Sequence, residues 1–211
     1  MPAIRPAVGA LVGRIIRLEP LTRHALPELY RAIGYPEVFA GGYGGGPEGL
    51  PSSLDAFLDF AERYYSWETA NVYVARIMGG NDDGTLVGTS TLGDFNETRE
   101  HAHIGWTAWD PRVWGTAVNP EAKLMMLGLA FDSGFGRVKL QTDSLNARSR
   151  AAIEKLGGQY EGIVRRDSLR ADGSWRDTAV YSVIVDEWPL VRAGLIARLD
   201  AAGWQPVSLT R

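Results

Sequence analysis

The chain has 211 residues, 45% of them hydrophobic and 22% charged, which predicts one domain, or two at most, with a core of ordinary size. The formal net charge of −3 and the lack of a basic block argue against a surface for nucleic acids. With no cysteines and three histidines, disulfides and cysteine nucleophiles are excluded, no metal site is expected, and no apolar run is long enough to span a membrane.

The first hundred residues predict strands and helices in alternation. Residues 1–10, rich in proline and alanine, are interpreted as an N-terminal arm, and residues 11–18 alternate apolar and polar side chains as a strand does. Thr22 is the predicted cap of a helix whose first turn accommodates Pro27. The next predicted elements are a helix capped by Ser52 or Ser53, strands at 71–78 and 86–95, and turns at 79–84 and 96–100.

A glycine-rich loop at residues 41–47 separates the two predicted helices. Its composition predicts a flexible backbone. Two interpretations remain open, a lid or substrate loop and a plain connector, and the first is favoured.

The stretch from residue 101 to residue 131 reads as a strand, a tight turn and a helix. The turn carries the pattern Arg112-x-x-Gly115-x-Ala117, whose small residues let a ligand approach the backbone. Free amides at the helix N-terminus and the positive end of the helix dipole suit a pyrophosphate, and Arg112 adds a charge. Strand-turn-helix junctions with one glycine are common, however, and most bind nothing.

The remaining elements complete a layered domain. A strand is predicted at 137–143, and Asn146 is the predicted cap of a short helix that ends at Gly157. Strands at 159–166 and 177–185 form a hairpin, followed by a helix from Trp188 to Leu199 and a loose tail over residues 200–211. The order of elements predicts an α/β layer around one central mixed sheet.

Three motifs carry a resemblance to a known family. Arg112-x-x-Gly115-x-Ala117 resembles the acetyl-CoA pyrophosphate loop of the GNAT N-acetyltransferases, and residues 114–122 resemble the RimJ/RimL branch. Ala117 replaces the second glycine usual in that branch, and Pro120 stands in the first helical turn, where its missing amide is tolerated. Residues 146–157 and 176–188 resemble the two other motifs of the branch.

The resemblance covers residues 11–199. It implies an α/β, GNAT-type single domain with a central mixed, mostly antiparallel twisted sheet flanked by helices. It also implies an acetyl-CoA-dependent N-acetyltransferase, in which the pantetheine arm runs between the strands at 101–109 and 137–143. The N-terminal sequence lacks the pattern of a secretion signal, so a cytoplasmic protein is expected, and no metal is expected from the cysteine and histidine content. The residues then expected to bind the cofactor are Trp106, Thr107, Arg112, Val113, Trp114, Gly115, Thr116, Ala117, Asn146 and Ser149.

Two residues are expected to be catalytic. His103 stands where many relatives have a glutamate near the acceptor amine, and an imidazole accepts a proton near neutral pH. Ser149 is expected to donate a hydrogen bond to the departing sulfur. The alternatives are a packed histidine, a serine that only caps its helix, and Glu100 or Asp94 as the base; some GNAT enzymes need no dedicated base.

The acceptor is expected to be a small-molecule amine or a protein N-terminus, with no nucleic-acid or membrane partner. A homodimer through the last strands is compatible with the sequence. Two other functions stay open: a GNAT-shaped module that holds CoA without turnover, and an unrelated nucleotide-binding domain, which is disfavoured because no Gly-x-Gly-x-x-Gly or P-loop motif is present. The residues expected to line the acceptor side are Tyr43, His101, Asp177 and Tyr181.

Overall fold

One sheet of eight strands organises the protein. The computed structural model describes residues 2–209, and the strand order in the sheet is β1-β2-β3-β4-β5-β6-β8-β7. Every pair is antiparallel except β5 with β6, which is parallel. The strands are β1 (Leu11–Val12), β2 (Ile16–Pro20), β3 (Asn71–Ile77), β4 (Leu86–Asn96), β5 (His101–Trp109), β6 (Arg137–Asp143), β7 (Gln159–Leu169) and β8 (Trp175–Ile184).

Helices cover both faces of the sheet, as the alternation within β3 shows. Tyr73 and Ala75 belong to the core under the helices at Val118–Asp132 and Trp188–Ala201, whereas Val72 and Val74 belong to the core under the helices at Leu26–Ile33 and Leu54–Tyr64. None of the helices within residues 2–209 combines the length and the apolar character that crossing a bilayer requires. The helices are α1 (Leu26–Ile33), α2 (Pro36–Ala40), α3 (Leu54–Tyr64), α4 (Val118–Asp132), α5 (Ala147–Leu156) and α6 (Trp188–Ala201).

The parallel pair β5 and β6 opens partway along its length. Residues 101–104 pair with 137–140, and no pairing continues beyond Ile104. On its other side β5 carries a bulge, because Thr91 pairs with Gly105 but Thr89 pairs with Ala108. Two β5 residues therefore face a single β4 residue, and a bulge of this kind twists the strand away from its neighbour. The open edge between β5 and β6 is the wall of the cleft described below.

The sequence predicted most elements closely. The strands at 101–109 and 137–143 have the predicted bounds. Ser53 caps α3 by accepting a hydrogen bond from the amide of Ala56, and Gly157 ends α5 with a φ of +104°. The two caps depend on hydrogen bonds within a few residues, and the strands were read from local side-chain patterns, so local sequence was sufficient to predict them.

Two local predictions were wrong, and one helix was missed. The single strand expected at 11–18 is two strands, β1 and β2, separated by a turn at 13–15. Thr22 makes no side-chain cap, because a short 3-10 turn at Arg23–Ala25 precedes α1. The helix α2 was not expected; Pro36 starts it with a pre-set φ.

Glu121 explains the turn between β1 and β2. Its buried carboxylate on α4 accepts hydrogen bonds from three consecutive amides, those of Arg14 at 2.6 Å, Ile15 at 2.9 Å and Ile16 at 2.7 Å. Because these three amides donate to Glu121, they are not available for the backbone pairing of one continuous strand. Position 13 favours glycine, because a Cβ there would lie 2.5 Å from the Glu121 carboxylate.

Both terminal segments contact the sheet domain. The amide of Ile4 donates to the carbonyl of Ser133, and the Arg5 side chain donates to the Asn71 side chain at 3.1 Å. After α6, the ring of Trp204 lies 4.7 Å from the Arg14 guanidinium, and the amide of Leu209 donates to Asp82. The segment predicted as a loose tail is therefore ordered through residue 209, while Thr210, Arg211 and Met1 lie outside the described residues. The division into an arm, a domain at 11–199 and a tail stays a prediction.

Candidate active-site cleft

A cleft of about 680 Å³ lies where β5 and β6 separate. Its walls come from these two strands, the turn before α4, the first turns of α4 and α5, the glycine loop and the tip of the β7–β8 hairpin. A space of this size suits a small-molecule ligand. Of the residues predicted to bind the cofactor, those that line the cleft are Trp106, Thr107, Val113, Trp114, Gly115, Thr116, Asn146 and Ser149.

The turn before α4 leaves room for a ligand. Gly115 has a φ of +79°, and a Cβ built there would meet no atom within 4 Å. Thr116 donates its hydroxyl to the carbonyl of Val113 at 2.6 Å, which closes the turn. The helix then begins after Ala117, which makes no side-chain cap, and the amide of Val118 donates to the Thr116 hydroxyl at 3.4 Å. Ala117 itself packs against the core and does not line the cleft.

Arg112 lies outside this cleft. Its guanidinium donates to the buried Asp110 carboxylate at 2.6 and 3.0 Å, and it lines a separate surface cavity beside Tyr30 and Tyr35. The position beside the turn is occupied instead by Arg148 of α5, whose guanidinium stacks 3.5 Å from the ring of Trp114. In the sequence, Arg148 is the second residue of the predicted helix α5, and no binding role was predicted for it.

The cleft is positively charged although the chain is acidic overall. Among the described residues that line it, the only carboxylate is Asp143, which Arg170 binds at 2.7 Å. The cations therefore outnumber the anions, and a site of this kind favours an anionic ligand. The basic side chains that line the cleft are Lys123, Arg148, Lys155, Arg170, Arg176 and Arg198.

Asn146 and Ser149 stand at the start of α5. The Asn146 side chain caps the helix by accepting from the amide of Ser149 at 3.0 Å, and its amide group donates to the carbonyl of Gly41 in the glycine loop. A second hydrogen bond joins the glycine loop to the hairpin tip, from the amide of Ala171 to the carbonyl of Gly45 at 2.9 Å. The glycine loop is thus tied to both sides of the cleft mouth.

His103 lies in the cleft wall with one ring nitrogen engaged. Its Nδ1 is 2.9 Å from the Asp94 carboxylate, and its buried Nε2 has no hydrogen-bond partner among the described residues. Burial lowers the pKa of His103, and its hydrogen bond lowers the pKa of Asp94. The imidazole is therefore neutral at pH 7, with Nε2 as the free ring nitrogen.

Tyr43 closes the cleft at the glycine loop. The residue is buried, and its hydroxyl is hydrogen bonded to that of Tyr65. Burial raises the pKa of Tyr43 well above its ordinary value, so the phenol stays protonated at neutral pH. It is a hydrogen-bonding group there and not a base.

The other three predicted substrate residues do not line the cleft. Tyr181 is fully buried beneath α5, where its hydroxyl accepts from Arg150 at 3.0 Å and donates to Glu154 at 2.9 Å. Asp177 accepts from the amide of Arg166 across the β7–β8 hairpin, and His101 lies at the start of β5, opposite Arg137. Each of these positions has contacts that maintain the fold.

Lys123 is the site residue that the sequence did not reveal. Only 5% of its surface is exposed, and its ammonium group lines the cleft, where it donates to Ser90 at 2.9 Å and to Thr107 at 2.8 Å. Burial lowers its pKa to about 7. A signal was present in the sequence: Lys123 precedes the buried Leu127 by four residues and so shares its helix face.

The described residues contain no group of three or more His, Asp or Glu side chains arranged to hold a metal ion.

Comparison with known proteins identifies the fold. The model of the acetyltransferase (GNAT) domain matches residues 16–159. A protein of T. thermophilus that was assigned as an acetyltransferase superposes with a TM-score of 0.81 at 30% identity, covering 93% of this chain and 100% of that one. A GCN5-related N-acetyltransferase from Brucella melitensis superposes with a TM-score of 0.82 at 25% identity, covering 93% and 87%.

A more distant likeness concerns the fold alone. RimJ of Mycobacterium smegmatis, in complex with CoA-disulfide, superposes with a TM-score of 0.69 at 19% identity, covering 94% of this chain and 95% of that one. No curated protein sequence matches the chain. The match to the GNAT domain over most of the sheet, together with a cleft at the opened parallel pair, shows that this chain belongs to the GNAT acetyltransferase family.

Proposed function

We propose that the protein transfers the acetyl group of acetyl-CoA to a primary amine, by direct attack in a ternary complex, as a member of the RimJ/RimL-like branch. The acceptor is a small-molecule amine or a protein N-terminus. The observation that carries the proposal is the cationic cleft, which runs from an open glycine turn at a helix N-terminus to the bulge of β5.

The turn and its helix would hold the pyrophosphate. The amides of Val113, Trp114 and Thr116 already donate to carbonyls of the turn, so those of Gly115, Ala117 and Asn119 would be the donors to the phosphate. The helix dipole lies behind them, and the space beside Gly115 is empty. Arg148 supplies the charged contact that the sequence had suggested for Arg112. The residues present therefore fit the phosphate end of acetyl-CoA.

The opened strands would hold the rest of the molecule. Beyond Ile104 the edge of β5 that faces β6 is unpaired, so its backbone groups are available to the pantetheine arm. Trp106 has a φ of +47° in the bulge, an uncommon conformation for a large residue, and an amide of Trp106 or Thr107 there would polarise the thioester carbonyl.

Residues at the end of the cleft away from the pyrophosphate turn would act on the departing sulfur and on the acceptor amine. Ser149 lines the cleft on the first turn of α5 and would donate a hydrogen bond to the departing sulfur, while Tyr43 would contact the acceptor. His103 is one candidate for the group that accepts the amine proton, through its unpartnered Nε2.

The Gly115→Trp variant tests the phosphate site. We expect wild-type protein to bind acetyl-CoA in a calorimetric titration, and the variant to bind at least about 10-fold more weakly, because the indole would occupy space that a phosphate needs. Gly84→Trp is the matched control: its φ of +78° imposes the same backbone strain, its Cβ also meets nothing within 4 Å, and it lies outside the cleft. Equal binding by Gly115→Trp and wild type would refute the assigned phosphate site.

Turnover requires a second measurement. A panel of small amines and N-terminal peptides would be incubated with acetyl-CoA while free CoA thiol is followed. Steady thiol release with a matching acetylated product would establish acetyl transfer, and binding of acetyl-CoA without release for any acceptor would favour a module that holds CoA without turnover.

Arg148→Ala tests the charge contribution. We expect its affinity for acetyl-CoA to fall by about 10-fold at low salt, since a charge-assisted hydrogen bond to a phosphate is lost. The difference from wild type should shrink as salt is added. Arg166→Ala is the control, because Arg166 also stacks on a tryptophan, Trp175 at 4.4 Å, but lies outside the cleft. An equal effect of both substitutions would assign the loss to stacking and not to the ligand.

A further inference from the structure

Lys123 forms a small polar network inside an otherwise apolar part of the core. Its Nζ donates to the hydroxyls of Ser90 and Thr107, and these two hydroxyls are themselves 2.8 Å apart. The three groups come from α4, β4 and β5, so the network bridges the helix and the sheet beneath it. A neutral amine has two N–H donors and one lone pair, and two donors are what this network uses.

Within residues 2–209, no nearby anion compensates a charge on Lys123. None of the carboxylates in this range lies within ion-pair distance of its Nζ. A buried ammonium without an acid partner is costly, and a lysine at such a site favours its neutral form. The ionisable groups that line the cleft with Lys123 are His103 on β5, Asp143 on β6, Arg148 and Lys155 on α5, Arg170 and Arg176 on the hairpin and Arg198 on α6. Asp94 on β4 contacts His103, and Lys139 on β6 contacts Asp94.

These surrounding groups favour the neutral amine. Asp94 is hydrogen bonded to His103 and is half exposed, and Asp143 is bound by Arg170. Lys139 and Arg148 are cations and supply no counter-charge. The lowering of the Lys123 pKa to about 7 by burial agrees with this arrangement.

The amine also lies at the open part of the cleft. Thr107, its hydrogen-bond partner, stands in the β5 bulge beyond the last paired residue, where a thioester carbonyl would be polarised. His103 lies in the paired part of β5, opposite Lys139, and its Nδ1 is already held by Asp94. Lys123 therefore contacts β5 at a position nearer to the proposed reaction centre than the position of His103.

We propose that Lys123, as a neutral amine, is the catalytic base that takes the proton from the acceptor in acetyl transfer. This inference rests on the proposed acetyltransferase function. The acceptor ammonium loses one proton to Lys123 Nζ, and the freed amine attacks the thioester carbonyl carbon to form the C–N bond. As the C–S bond breaks, its electron pair leaves with sulfur, which takes the second amine proton to give CoA thiol. Lys123 then returns its proton to solvent.

Kinetic measurements on Lys123→Met test this role. For wild type we expect kcat to rise with pH through an apparent pKa near 7 and then level. Lys123→Met should lower kcat by about 100-fold or more and abolish that acid limb. Its affinity for acetyl-CoA should change less than about 3-fold, because the pyrophosphate turn is untouched. His103→Gln should keep the acid limb.

A direct titration supplies an independent result. In the ligand-free protein, NMR of the lysine ε-methylene groups, with Lys123 assigned by its absence from Lys123→Met spectra, should show Lys123 titrating near neutral pH. A titration near pH 10 would overturn the proposal, as would a Lys123→Met profile with the same limb as wild type. If wild type binds acetyl-CoA but releases no thiol with any amine, the acetyltransferase proposal fails first and the role of Lys123 with it.

Discussion

Glu121→Ala is expected to lower the free energy of unfolding by about 3–5 kcal/mol, since it removes a buried charged acceptor and leaves its donors unpaired. The carboxylate accepts from the amides of Arg14, Ile15 and Ile16 at 2.6 to 2.9 Å. No water can replace it without opening the contact between α4 and the β1–β2 turn, because Glu121 is only 2% exposed. Urea denaturation followed by far-UV circular dichroism measures the loss.

Two companion variants make that result specific. Glu121→Gln keeps one carbonyl acceptor but places an NH₂ group against a donor amide, so we expect an intermediate loss. Glu62→Ala removes a carboxylate from an exposed pair with Arg23 and should cost less than about 1 kcal/mol. If Glu121→Ala cost no more than Glu62→Ala, the three amides would have found other acceptors and the explanation of the turn would be wrong.

Lys123→Met is expected to act in the opposite direction and raise the free energy of unfolding at pH 6 by about 2–4 kcal/mol. The folded protein lowers the pKa of Lys123 from 10.5 to about 7, so below pH 7 folding must bury a charged amine. Methionine is similar in length and carries no charge. The gain is smaller than the full pKa shift implies, because Ser90 and Thr107 lose a donor.

The effect of Lys123 on the free energy of unfolding depends on pH. Between pH 7 and pH 10.5 the unfolded chain holds a proton on Lys123 that the folded protein has released. Wild-type stability should therefore rise with pH across this window, and the advantage of Lys123→Met should shrink. Urea denaturation at pH 6, 8 and 9.5 measures both.

An exposed lysine provides the comparison. Lys155→Met, at a solvent-exposed position of α5, should follow the wild-type curve at every pH. Parallel stability curves for wild type and Lys123→Met would show that Lys123 is charged in the folded protein, which would contradict both this prediction and its role as a base. A stability gain combined with a loss of turnover would show that the protein keeps a destabilising group for its chemistry.

Much of the fold was readable from local patterns. The bounds of β5 and β6, the caps at Ser53 and Asn146, and the glycine at the end of α5 all follow from side chains and backbone groups within four residues of one another. The pyrophosphate-loop pattern is equally local, and it placed most of the predicted cofactor residues in one cleft. The family follows from these same motifs and their order.

The remaining features depend on contacts between distant parts of the chain. Glu121 meets amides more than 100 residues away, and the pKa of Lys123 is lowered only because β4 and β5 cover it. Arg112 turns to Asp110 because that carboxylate is buried beside it, which leaves its expected place to Arg148. Sequence determined which elements form and in what order, since these follow from local hydrogen bonds and periodicity. The tertiary structure decided which charges are buried and what each one faces, since desolvation and pairing depend on the whole packed chain.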